Sequence, residues 1–393
     1  MTHPSSRALA GLAFILLGSS SALAADAQAF GDRLKQLAAE SDMPISFTAA
    51  ESVGDNVVLK GVTLGAGPEA GTIGDVTFEN VTGSTADGWK VETIPFEDFK
   101  KTEEGKEATV SGMSVSGLQL AGTTGESKLP GGTPIFFDEA SVRSVDISDA
   151  GKKLFSLSGT EWTNSVESGS GEITSSFTLG DFNLDFAAMP ADETTKAMQE
   201  VGYPQLAGNG SVEMSWDPKK GELSLSPFDL TVKDAGDFSF SYQINGYTPS
   251  FVESLKQIQA QMAADPQGAS NSGMAVIGLV SQLSLASLEI GFTDDSLTNK
   301  LLDFYAKKNG QTREQLIDQL IGTLPPMLAM LQNPDFQGKV TTAVSTFLKD
   351  PKSLTISVDP DAPVAATQII GAAMGAPQTL PQVLQLEVTA NEQ

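Results

Sequence analysis

The stretch SVEMSWDPKKGELSLSPFDLTVKDAGDFSFSYQIN, residues 211–245, decides the fold. Residues 211–216, 222–225, 228–232 and 237–245 read as four strands. Phe238, Phe240, Tyr242 and Ile244 alternate with Ser239, Ser241 and Gln243, so the last strand has one dry face and one wet face. Asp217-Pro218-Lys219-Lys220-Gly221 and Asp234-Ala235-Gly236 supply turn chemistry between strands. Strands joined by such short turns predict an antiparallel meander.

Toward the N-terminus the same period-two pattern recurs. Val57, Leu59, Gly61, Val62 and Thr63 align with Val76, Phe78, Asn80, Val81 and Thr82, and residues 113–120 give a third version. Each alternation is interrupted by Gly or Asn, as a bulge or bend requires. A helix over about 30–40 precedes them. Asp181 and Asp185 share one face of a strand whose other face carries Phe182, Leu184 and Phe186. The glycine-rich residues 65–71 read as a hairpin loop, because a phosphate loop needs different spacing and a following helix.

Toward the C-terminus the period becomes helical. Thr248 caps a helix that Pro249 starts, and Phe251, Leu255, Ile258 and Met262 fall along one face. A loop over 265–273 leads to a short apolar segment and a strand near 283–292. Further helices are expected over 297–308, over 313–331 with an interruption at Pro325-Pro326, and over 335–348. Their apolar stripes are Leu301/Leu302/Tyr305, Leu316/Leu320/Leu324 and Val340/Val344/Phe347, and Thr312 with Gln315 has capping-box spacing. The end reads strand (354–358), turn at Asp359-Pro360-Asp361, helix (364–374), strand (383–389). The class is α+β: a predominantly antiparallel β meander with several amphipathic helices packed on it, mostly in the C-terminal part. A β-rich region over 25–247 and a mixed region over 248–393 are either two domains or one sheet with a helical cover.

The first 24 residues have the three parts of an export signal: Arg7, an apolar run over 8–17, and Ala22-Leu23-Ala24 as a small-residue cleavage pattern. A cut after Ala24 sends the mature chain to a bacterial periplasm. No later stretch approaches eighteen apolar residues, so no transmembrane helix is expected in the mature chain. Removal of Arg7 leaves 23 basic against 49 acidic residues, a net charge of −26. That balance argues against nucleic-acid binding through phosphate neutralisation.

Cysteine is absent, and the single histidine, His3, leaves with the signal. Histidine- and thiol-based catalysis, and ordinary zinc, copper or haem ligation by those side chains, are therefore excluded from the mature chain. No S-x-x-K, G-x-S-x-G or G-x-x-x-x-G-K pattern occurs. No catalytic residue, metal ligand or cofactor is expected.

Strand patterns with G-V-T-like interruptions at residues 57–64, 76–82 and 113–120, the 211–245 meander, and amphipathic helices after them resemble uncharacterised exported families of proteobacteria. They also resemble, loosely, the AsmA and TamB class of β-rich envelope proteins, over about a third of the chain. That resemblance implies a long β-sheet holding lipid acyl chains. The chain departs from the class where its N-terminal membrane anchor is replaced by a cleavable signal, and no functional residue carries over. The leading expectation is a non-enzymatic envelope protein that binds a lipid or another hydrophobic ligand, or scaffolds an envelope partner, with Phe251, Leu255, Ile258 and Met262 lining an apolar groove. The same stripes also suit ordinary core packing. The alternatives are a carboxylate-only hydrolase of cell-wall glycan, for which Trp89, Trp162 and Trp216 are thin provision for sugar stacking, and an exported structural or adhesive protein.

Overall fold

The computed structural model describes residues 25–392 except 42, 66, 68, 69, 125–128 and 265–268, and describes no side chains over 263–272. The signal and its cut after Ala24 lie outside the described residues. So does part of the 65–71 loop.

Helix α1 (Ala27–Glu40) precedes β1 (Ile45–Ser46), β2 (Ala49–Val53), β3 (Asn56–Leu64) and β4 (Gly71–Phe78), which form a four-stranded sheet. A second sheet begins with β5 (Thr82–Ser84), β6 (Gly88–Pro95), β7 (Phe99–Glu103) and β8 (Lys106–Leu120). It continues through β9 (Ile135–Phe136), β10 (Glu139–Asp149), β11 (Lys152–Val166), β12 (Ile173–Thr178) and β13 (Asp181–Asp185). Helix α2 (Glu193–Val201) leads into β14 (Gln205–Asp217), β15 (Glu222–Val232) and β16 (Gly236–Asn245). Helices α3 (Pro249–Ala264) and α4 (Ala269–Val280) separate these from β17 (Ser284–Asp294). Then come α5 (Leu297–Lys308), α6 (Arg313–Leu328), α7 (Pro334–Lys349), β18 (Ser353–Val358), β19 (Val364–Ala365), α8 (Ala366–Gly375), α9 (Leu380–Val383) and β20 (Leu386–Ala390). The second sheet has sixteen strands among the described residues and runs unbroken past Thr248, because β16 pairs with β17. An α+β fold built on an antiparallel meander is what the alternation predicts.

The pairing explains the alternation. Directly paired residues on antiparallel neighbours share a face. One transverse row therefore reads Ile94, Val115, Ala140, Trp162, Phe177, Val212, Phe228, Phe240, Ile290, Ile356, Val388. The adjacent row reads Ser114, Ser141, Glu161, Thr178, Ser211, Asp229, Ser239, Gly291, Thr355, Thr389. One face of the sheet is apolar from end to end, and the other is hydroxyl and carboxylate. On the polar face, Ser111–Ser144, Ser114–Ser141 and Ser215–Ser224 hydroxyls bond across strands at 2.7, 3.0 and 2.9 Å.

The apolar face is covered only toward its two edges. At the N-terminal side α1 drives Phe30 against Phe78 and Trp89, with ring centroids 5.0 and 5.7 Å apart, in a core that includes Val57, Leu59, Val91, Ile94 and Leu120. At the C-terminal side α7 lays Phe347 on Phe292, centroids 6.2 Å apart, and α5 and α6 join it through Leu302, Ala306, Leu316 and Ile317. Between these cores, no apolar side chain of β10 or of β12 through β16 is buried.

Several expectations need correction. Residues 222–225 and 228–232 are one strand, β15, with a register shift between Leu225 and Phe228. Pro227 lacks a donor, so its pattern reads as a break, but a bulge absorbs it without ending the strand. Pro325 and Pro326 do not interrupt α6. They occupy its last turn, and a 3-10 turn over Ala329–Leu331 finishes it. The helix α4 begins at Ala269, so residues 269–273 are not loop; apolar packing further along outweighs the weak helix preference of Ser270, Asn271 and Gly273. The helix expected from 364 starts at Ala366 after the short β19, and α9 replaces the start of the last strand, which begins at Leu386. The second echo leaves strand geometry after Phe78. The interruptions expected at Gly61, Asn80 and Gly117 carry φ of 57°, 53° and 64°.

The β14–β15 turn is clamped by Asp217, only 4% exposed, which accepts from the Lys219 and Lys220 amides at 2.9 and 3.0 Å and pairs with the Lys220 ammonium at 3.1 Å. The Lys220 amide hydrogen bond first, against the opposing effect of burial, and the Lys220 ammonium next hold this carboxyl below its ordinary value. A depressed folded value stabilises the protein above the unfolded value, about 3.9, and that stabilisation disappears as pH falls through the folded value. Asp217→Asn should therefore flatten the acid limb of the thermal-midpoint profile below about pH 4 relative to wild type. Parallel profiles would remove Asp217 from the acid response.

Candidate functional site

The apolar face bears a chamber at each end of the strands. The first lies where β14 ends and β15 begins. It has a volume of 530 Å³, a floor of Trp162, Ile173, Met214, Trp216 and Leu223, and a wall of Tyr247, Val252 and Lys256. Residues 130–137 form its other side. The polar tips of both tryptophans are satisfied by protein partners. The Trp162 Nε1 donates to Ser175 Oγ at 2.7 Å and Asn164 Oδ1 at 3.2 Å, and the Trp216 Nε1 donates to the Tyr247 carbonyl at 2.6 Å. Both indole bodies are left to the cavity as apolar surface. Gly131, at φ 66°, passes so close that an added Cβ would lie 2.7 Å from Trp216 Cζ3, so only glycine fits there.

The second chamber lies where β15 ends and β16 begins, and its volume is 510 Å³. Met198 of α2, Tyr203, Leu206, Leu230, Phe238, Phe292 and Leu297 line it, with no charged side chain among the lining residues. The Tyr203 hydroxyl donates to the Asp234 carbonyl at 3.0 Å, and the Lys300 ammonium sits 3.8 Å over the Tyr203 ring. Between the chambers the floor is Val212, Leu225, Phe228, Phe240 and Tyr242, with Phe228–Phe238 and Phe240–Tyr242 centroids 6.0 and 5.7 Å apart. Burial first, and the neighbouring Tyr247 next, push the Tyr242 phenol up, as expected for a hydroxyl above an apolar floor. Along β15 the floor spans ten residues from Leu223 to Val232, roughly 30 Å at strand rise.

The expected stripe on α3 is split by the structure. Phe251 is 4% exposed and its ring lies 5.2 Å from that of Tyr247, with its amide donating to the Thr248 cap at 3.2 Å. Leu255 and Ile258 are half-buried, and Met262 is 45% exposed. The α3 residues that reach the chamber are the adjacent Val252 and Lys256. Sequence reasoning missed most of the floor on β11, β12 and β14, although the alternation of Ile173, Ser175 and Phe177 was there to be read. Asp185 is engaged with the Ala187 and Ala188 amides at 2.9 and 3.0 Å and with Gln205 Nε2 at 2.8 Å, on the polar face.

Among the described residues, no group of three or more His, Cys, Asp or Glu side chains is placed to hold a metal ion, and no helix is long and apolar enough to cross a membrane. No curated protein matches the chain. A family profile described only as an uncharacterized protein matches residues 229–391, from the middle of β15 through β20.

Proposed function

We propose that this protein is a non-enzymatic periplasmic carrier that binds a lipid acyl chain lengthwise along the apolar face, from one chamber to the other. The uncovered row of apolar side chains across β10 to β16 carries this reading. A soluble protein leaves few contiguous apolar surfaces open to water, and those it leaves mark binding sites. Each methylene moved from water onto this floor contributes about 0.8 kcal/mol, so a long chain can offset the entropy of association. The resemblance to the AsmA and TamB class implies the same cargo. Among the described residues, Lys256 is the one charged side chain lining the first chamber, which suits a ligand whose acidic head sits there and whose tail runs toward Phe238. Among the described residues, neither chamber is lined by a carboxylate, whereas a glycan hydrolase places paired acids in its cleft.

Intrinsic fluorescence tests the reading. Trp89 is buried in the N-terminal core, whereas Trp162 is 44% exposed on the floor of the first chamber. A long-chain fatty acid below its critical micelle concentration should shift tryptophan emission to the blue, saturably. Trp162→Phe should reduce the shift, and Trp162→Phe/Trp216→Phe, which removes both indoles on that chamber, should abolish most of it. Native mass spectrometry of protein purified from periplasm should show bound lipid. No saturable shift and a lipid-free mass would overturn the proposal.

A further inference from the structure

The second sheet has two edges of opposite character. At one, β7 pairs only with β8 among the described residues, and Phe99-Lys100-Lys101-Thr102-Glu103 are all exposed. Lys100 pairs with Glu107 at 2.8 Å and Lys101 with Glu103 at 2.9 Å, so charge stands along this edge, a common protection against a further strand. At the other, β20 pairs only with β18 among the described residues, and Leu386-Glu387-Val388-Thr389-Ala390 carries a single charge.

One hydrogen bond fixes the direction of the free groups on β20. The Asn391 amide donates to the Ser353 carbonyl at 2.9 Å. Antiparallel pairs alternate between bonded and unbonded, so Thr389 opposite Thr355 and Glu387 opposite Ser357 turn their backbone groups toward β18. Leu386, Val388 and Ala390 turn theirs outward, a donor and an acceptor at every second residue, roughly 7 Å apart. An extended polypeptide repeats its own donors and acceptors at that spacing.

A cavity of 550 Å³ lies against this edge. Glu387, Val388, Thr389 and Ala390 line it in succession, and they come from both faces of the strand, so the cavity runs along the edge itself. Its opposite wall is one stripe of α7, Lys339, Thr342, Ala343 and Thr346, in which Ala343 is buried and the two threonines are exposed. This wall of small side chains is roughly 10 Å long at helix rise, enough to flank three residues of a strand.

We infer that this edge takes an extended basic segment of another protein, which adds to β20 as a further strand beneath α7. The inference stands apart from the carrier reading. Backbone pairing supplies the attachment, and alternate side chains supply the choice of partner. Those facing α7 must be small, because Thr342 and Ala343 stand over the edge. Those on the opposite side meet Glu387, with Glu392 just past the strand, and neither carboxylate makes an ion pair among the described residues. A basic segment is also drawn by the net charge of -25, which repels a second copy of the chain. Geometry disfavours that copy as well. Antiparallel pairing of β20 with itself sets the two strands about 4.8 Å apart with both α7 helices on one face, whereas packed helices need about 8–10 Å.

Hydrogen exchange of the full-length mature chain tests it, with a terminally blocked seven-residue peptide of alternating lysine and valine as the probe. Saturating peptide should slow exchange of the Val388 and Ala390 amides at least about tenfold, and leave residues 99–103 unchanged. The same peptide methylated at every amide nitrogen keeps its charge but loses its donors, and should slow nothing. Ala390→Pro removes one outward donor and no bond to β18, and should weaken binding of the labelled peptide, read by anisotropy, about fivefold. Thr342→Phe narrows the cavity and should weaken it at least as much, with wild-type circular dichroism in both variants. Unchanged exchange at millimolar peptide, or equal slowing by the methylated peptide, overturns the proposal, and this comparison decides it even where a variant fails to fold. Sedimentation showing a dimer that Ala390→Pro dissolves also overturns it, because the edge then belongs to a second copy.

Discussion

Phe228→Ser/Phe240→Ser should lower affinity for a long-chain fatty acid about tenfold, equivalent to about 1.4 kcal/mol, while leaving a cooperative fold. Both side chains lie on the floor between the two chambers, paired directly with each other. Neither is buried, so each retains apolar surface for a ligand to cover. Completing that burial is worth about 0.5–1 kcal/mol per ring, a third of the value of a fully buried phenylalanine. Serine is the side chain the opposite face already carries at Ser211 and Ser239, so the substitution asks nothing new of the strand. A chain short enough to sit within one chamber should lose far less, because it need not cross residues 228 and 240. Displacement of a fluorescent fatty acid by ligands of graded length measures both. Equal losses for short and long chains, or none for either, would show that no ligand runs along the floor.

The meander was legible because its signal is local. Alternation of Phe238, Phe240, Tyr242 and Ile244 and the turns at Asp217 and Asp234 specify strands and faces from a few neighbouring residues. The capping box at Thr312 and Gln315, present in both directions in the structure, was legible for the same reason. What alternation cannot state is whether a dry face is covered. Leu59 on β3 and Phe228 on β15 have the same pattern around them, yet Leu59 is fully buried beneath α1 and Phe228 is not buried. Cover depends on where a distant helix lands. The sequence reading therefore placed the groove on the most visible amphipathic helix, α3. The floor instead comes from β11, β12 and β14 to β16, with α3 contributing a wall. Phe251, the first residue of that stripe, closes against Tyr247 and leaves the cavity to Val252, one position along.

Phe30→Ala should cost about 3–5 kcal/mol, the range for removing a phenylalanine from a packed core. Phe30 is fully buried and edge-on to both Phe78 and Trp89, so its loss leaves a void that the fixed sheet behind it cannot close. Phe228→Ala, on the strand face that no helix covers, should cost no more than about 1.5 kcal/mol, because its ring is only partly removed from water. Urea unfolding of the two variants therefore measures cover directly. Similar costs would mean that something seals the middle of the face, and the groove would not be open to a ligand. Ligand separates the two further. On the proposed function, saturating fatty acid should stabilise wild type by mass action, about 2.7 kcal/mol at a hundred times its dissociation constant. The Phe30 variant keeps the floor and should gain the same increment from its lower baseline, whereas the Phe228 variant should gain less from its higher one. A core and a binding floor made of the same residue types thus respond in opposite order to truncation and to ligand, and that reversal is what an open apolar face requires.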